Sequence, residues 1–170
     1  MSDVQTYAQE IDKKLARMIE EVAALPEEAV RWKPAPDQWS ILEVLAHVEE
    51  AVEYWCEELG RVMANPGVSW GRTLQDERRL AAVAQASRRS TKEVLQGLAR
   101  VRRLAQERLS RVRDADLEIT APHVNPKFGI QSMRFLIEHF LVEHLEAHLK
   151  QIARNLQRYA ETAKAGQSPS

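Results

Sequence analysis

Apolar residues recur every three or four positions through most of this chain, the spacing that lines one face of an α-helix. Tyr7, Ile11, Leu15, Met18, Val22 and Leu25 form the first stripe and predict a helix over residues 4–25, ended by Pro26. Residues 26–37 hold Pro26, Pro34 and Pro36 and read as a connecting loop. Ser40-Ile41-Leu42-Glu43 is a capping box, with Trp39 and Val44 placed for a hydrophobic staple. The helix it opens should run to Ala64, stopped by Asn65-Pro66-Gly67, with Leu45, Val48, Val52, Trp55 and Leu59 inward.

A short helix is expected over 74–86. A second capping box, Ser90-Thr91-Lys92-Glu93, opens a helix to Val112 with Val94, Leu98, Val101, Ala105 and Val112 inward. Pro122, Pro126 and Gly129 make 114–129 a loop. The last helix should span 130–160, with Met133, Ile137, Phe140, Leu141 and Ile152 on one side. Almost nothing reads as strand. Long helices with no sheet to pack on predict an all-α four-helix bundle, one domain over 1–162 followed by a mobile tail, 163–170.

Charge narrows the partners. Lys+Arg 24 against Asp+Glu 25 gives a formal net charge of -1, which argues against a nucleic-acid surface. The basic clusters Arg88-Arg89 and Arg100 to Arg103 read as a solvated helix face. Cys56 is the single cysteine, so no internal disulfide forms, and it is expected to be a small core residue rather than a nucleophile. The first residues lack a signal-peptide pattern, and no apolar run approaches the roughly 20 residues of a membrane span. A soluble, cytoplasmic protein is the expectation.

Chemistry concentrates in the histidines. His144 and His148 stand at i, i+4 within the last apolar stripe, separated by only about 40° around the helix. Two imidazoles so placed can bind one transition-metal ion, and a third from a facing helix would leave a position open for water or substrate. Ordinary hydrogen bonding in the core is the alternative, since about one chain in ten with this many histidines carries such a pair by accident. His47 lies on the flank of the second helix's stripe, and periodicity lets it face a neighbouring helix or solvent. His139 falls about 180° from His148 and is not expected to share an ion with it. His123 sits in the 114–129 loop and could approach one end of the bundle.

The order H-x-E-x-H, rather than H-E-x-x-H, puts Glu146 roughly 160–200° from both rings, so no protease base is present. Without paired Glu-x-x-His motifs, one ion is favoured over two. Glu43 and Glu50, one turn either side of His47, could orient its distal nitrogen; capping and surface charge, respectively, are the preferred readings.

Trp39-Ser40-Ile41-Leu42-Glu43-Val44-Leu45-Ala46-His47, then Phe128-Gly129, then His144-Leu145-Glu146-Ala147-His148-Leu149-Lys150-Gln151-Ile152 resembles the DinB/YfiT-like family, whose members are regarded as metalloenzymes. The resemblance implies a four-helix bundle in up-down-down-up order, often dimeric. It places the family's metal ligands, one histidine from the second helix and two from the last, on His47, His144 and His148. Zinc and nickel are the ions it implies. Relatives that transfer or isomerise conjugates of low-molecular-weight thiols, such as mycothiol or bacillithiol, suggest a small-molecule substrate and a metal-dependent thiol S-transferase or hydrolase. A non-catalytic, stress-associated metal-binding or interaction module is the other expectation. A nucleic-acid role, suggested only by the family name, is disfavoured by the balanced charge.

Overall fold

Helix starts in this chain are set by side chains that satisfy the first backbone amides. In a computed structural model describing residues 1–166, the elements in order are α1 (Asp3–Ala23), α2 (Glu27–Arg31), α3 (Ile41–Ala64), α4 (Glu77–Ala84), α5 (Thr91–Ser110), β1 (Thr120–Pro122), β2 (Ile130–Ser132), α6 (Met133–Phe135), a π-helical stretch (Leu136–Glu143) and α7 (His144–Gly166). Ser40 and Glu43 form the full reciprocal capping box, at 3.1 and 2.9 Å. At Ser90 only one half forms, its hydroxyl accepting from the Glu93 amide at 3.0 Å. Ser2 and Gln5 build a third box that starts α1. Such a cap contributes about 0.5–2 kcal/mol.

Contacts between the four long helices fix their directions. Glu49 pairs with Arg89 and Glu53 with Arg100, and Gly60 lies against Arg108, so α3 and α5 run parallel. Asp12 pairs with Arg102, and Gln106 donates to the Ala8 carbonyl, so α1 and α5 are antiparallel. Asn155 donates to the Trp39 carbonyl while His47 meets His144, so α3 and α7 are antiparallel. The bundle is therefore up-down-down-up, as expected. Parallel neighbours cannot be joined by a hairpin, so residues 65–90 climb back along the bundle and carry α4 with them.

Several details differ from the sequence expectations. The 26–37 loop holds a helical turn, α2, because Pro26 precedes its first residue and costs it no hydrogen bond. Residues 120–132 contain a two-stranded antiparallel ribbon, with Ala121 opposite Gln131. Its strands are too short for a period of two to register. Helix therefore begins at Met133, capped by Ser132, not at residue 130. The last helix continues past Ala160 to Gly166, so 163–166 are helical; the rest of the expected tail, 167–170, lies outside the described residues.

The basic clusters are not simply solvated: Arg89, just ahead of α5, and Arg100 within it bond to α3, and Arg102 bridges α5 to α1. No helix among the described residues is long and apolar enough to cross a membrane.

Candidate metal centre

His47 sits where α3 is buried almost all round, from Ile41 to Val48. Its flank position therefore opens onto α7 rather than solvent, and the residue is 3% exposed. His144 and His148, at the start of α7, face it from one side of their helix. His144 Nε2 lies 3.1 Å from His47 Nε2 and 2.9 Å from His148 Nε2. One donor atom from each residue falls within 4.8 Å of the others, close enough to hold a single ion. Imidazoles bound tetrahedrally at about 2.0–2.1 Å place their nitrogens roughly 3.3 Å apart, a spacing close to that seen.

Hydrogen bonding orients the rings. His148 Nδ1 donates to Gln151 Oε1 at 2.8 Å, which leaves Nε2 as a lone pair directed into the cluster. His144 Nε2 cannot act as both sole donor and sole acceptor toward two other Nε2 atoms in one ring plane, so protons alone satisfy this cluster poorly. His47 Nδ1 is buried without a partner. Burial, followed by the charge of the neighbouring imidazoles, pushes His47 down to about 2. The same causes push His144 to about 3. Burial also lowers His148, opposed by its bond to Gln151. All three rings are thus neutral at pH 7, the form in which imidazole binds a metal.

Trp39 does not act only as a staple. Its ring packs 5.0 Å from that of His47 and lies nearly parallel to that of His148, at 6.4 Å. Opposite it, a cavity of 260 Å³ opens beside His47 and His144. Trp55 and Phe140, stacked at 4.1 Å, form one wall. The climbing segment supplies Arg72, Thr73, Leu74 and Arg79, and the tip of the β1–β2 ribbon supplies Asn125, Lys127 and Phe128. His148 faces a second, polar hollow with Gln151, Arg154 and Asn155 on the far side.

The other candidates lie outside the cluster. His139 does not join the cluster, yet it lines the same cavity as His144. An α-helix would set these residues about 140° apart. The π-helical stretch between them bonds i to i+5 and brings them to one side. His123 is buried behind Phe140, parallel to it at 5.5 Å, and stays outside the cluster. Its Nδ1 accepts from the Asn125 amide, and burial lowers its pKa.

Glu43 caps α3 as preferred. Glu50 is no surface charge: it is bidentate to Arg72 at 2.6 and 2.9 Å, with both side chains at most 10% exposed. Cys56 is a buried core residue whose thiol burial pushes up to about 12, so it stays protonated. The sequence reading missed Gln151, Arg72 and Arg79. Only Gln151, at i+3 from His148, left a local signal.

Comparison with known proteins bears on the fold and the family. A search of curated protein sequences finds no match. Among solved structures, YfiT from Bacillus subtilis superposes with a TM-score of 0.73 at 12% identity, covering 92% of this chain and 90% of that one. It is described as "a probable metal-dependent hydrolase with an unusual four-helix bundle topology". At that identity the likeness speaks for the fold. A family model, that of the DinB superfamily, matches residues 10–152. That span reaches from within α1 to Ile152 and includes His47, His144 and His148, all of α3 and the first part of α7. This chain belongs to the DinB superfamily.

Proposed function

We propose that the protein is a metal-dependent enzyme in which His47, His144 and His148 hold one divalent ion, zinc or nickel. Its substrate is a small molecule, and its reaction is hydrolysis or S-transfer from a low-molecular-weight thiol. The observation that carries this reading is the convergence of three neutral Nε2 atoms, from two helices, beside a cavity. An ion there would offset both the crowded lone pairs and the burial of the rings.

When bound, a divalent ion supplies Lewis-acid chemistry and lowers the pKa of water or a thiol toward neutrality. The chain's own residues do the rest. Gln151 holds the Nδ1 proton of His148 and so keeps its lone pair directed at the centre. Trp55, Phe128 and Phe140 give the cavity apolar walls that exclude bulk water. His139, 3.1 Å from a Glu143 oxygen and facing the same cavity, is placed to take or return a proton outside the cluster.

Elemental analysis of protein purified without a histidine tag tests the centre. About one zinc or nickel per chain is expected, and a His144→Ala variant should lose it. A screen with bacillithiol, mycothiol and glutathione against electrophilic acceptors, beside ester and amide substrates, then separates transferase from hydrolase. Activity left intact by His148→Ala would overturn the metal's role. Metal uptake with no turnover of any of these would favour a binding module instead.

A further inference from the structure

Three arginines approach the cavity from the climbing segment, and they differ in their partners. Arg72 is matched by Glu50 and Asp76. Arg78, on the outside, reaches Glu50, Glu53 and Glu57. Arg79 pairs with no carboxylate among the described residues. It is half-buried and lines the cavity, held there by one bond to the Leu74 carbonyl at 3.1 Å and by the face of Trp39, whose ring centroid lies 5.9 Å from its Cζ. Lys127, exposed and also without an ion-pair partner among the described residues, lines the same opening, 5.5 Å from the centroid of the Phe128 ring.

An unmatched cation partly withdrawn from water is costly, and burial together with the nearby Arg72 charge lowers its pKa accordingly. The local acids offset it only in part, because Glu50 and Asp76, though near enough to act on Arg79, are bonded to Arg72.

We infer that this cavity binds a small acidic substrate, with a carboxylate or phosphate held by Arg79 and Lys127 and an apolar or aromatic body lying on Trp55, Phe128 and Phe140. That orientation leaves the other end of the molecule at His47 and His144. A volume of 260 Å³ falls just below the range of about 300–1,000 Å³ usual for drug-sized ligands, so the body is no larger than about one ring with a short chain. A guanidinium fork suits either acid, since both present paired oxygens. The inference rests on the histidine cluster being the reactive centre, because that is what gives the orientation its meaning.

The test measures binding rather than turnover. Quenching of tryptophan fluorescence and chemical-shift changes are followed on adding 3-phenylpropanoate, phenyl phosphate or the neutral 3-phenylpropanamide. Each titration is run with zinc-loaded protein and again with chelator present. At least one anionic probe is expected to bind about tenfold more tightly than the amide in both states. Arg79→Gln should remove most of that preference, and Lys127→Gln a smaller part. Arg79→Lys, which keeps the charge, should retain more of it and guards against simple misfolding.

Equal binding of acid and amide, or a preference undiminished by Arg79→Gln, would overturn the inference. Which acid binds more tightly identifies the head group. If zinc uptake fails while the Arg79-dependent preference persists, the metal reading falls and the acid site stands. If zinc binds but the preference is missing, the reverse holds.

Discussion

Replacing Gln151 with leucine should weaken metal binding without disturbing the fold. Gln151 Oε1 accepts from His148 Nδ1 at 2.8 Å, and it is the only partner of that nitrogen among the described residues. Without it the proton can shift to Nε2, which then has no lone pair to offer, and the ring is free to turn. Removing a partner that orients a ligating histidine typically costs about 10–100-fold in metal affinity, or roughly 1.4–2.7 kcal/mol. Gln151 lies half-exposed on α7, outside the core, so helix content should be unchanged.

Competition for zinc against a chromophoric chelator gives the affinity, and ring 15N shifts report which nitrogen carries the proton. Gln151→Glu keeps an acceptor and should bind zinc at least as well as the wild type. A leucine variant that titrates within twofold of the wild type, with His148 still protonated at Nδ1, would refute the argument.

Three other perturbations follow from the same structure. Gly71 has φ +87°, and a Cβ there would stand 2.3 Å from His123 Nε2; Gly71→Ala should lower stability by about 2 kcal/mol or more, measured by urea unfolding. Glu50→Gln leaves Arg72 buried with only Asp76 as an anionic partner, and should cost about 3 kcal/mol in the same assay. For the metal-free protein, His47 and His144 titrate in the unfolded state near 6.5 but far lower when folded. The unfolded chain therefore binds more protons below pH 6.5, and stability is full above that value and lost as pH falls. About 1.4 kcal/mol per group per pH unit gives a loss of roughly 2–3 kcal/mol between pH 7.5 and 5.5, and a flat denaturant midpoint over that range would contradict the burial of these rings.

What could be read from the sequence was what neighbouring residues decide. The Ser40–Glu43 box and the stripe from Leu45 to Leu59 announce α3 because cap and period are both local. The i, i+4 pair of His144 and His148 likewise follows from helix geometry alone. His47 needed the resemblance to bring it in, since burial around the start of α3 comes from elements far away in the chain. His139 stays out of the cluster as expected, but its place on the cavity wall beside His144 was not legible, because a π-helical stretch shifts the register without any residue pattern that periodicity detects. Glu50 read as surface charge for a related reason: its partner Arg72 arrives on the climbing segment, after a stop at Asn65-Pro66-Gly67. Arg79 and Lys127 come together only through the third dimension.

The parallel placement of α3 and α5 obliges the chain to retrace the length of the bundle before α5 can begin. A bundle built from short hairpins alone would leave the imidazoles of α3 and α7 under open water. Here the detour roofs them; it is anchored to the bundle by buried Trp70 and by the Arg72–Glu50 pair, and between such anchors it carries residues that the interior packing does not depend on. Leu74, for instance, is largely exposed. The exposed positions between those anchors can be rewritten or recharged while the scaffold beneath stays put, so one architecture is open to retooling for different reactants.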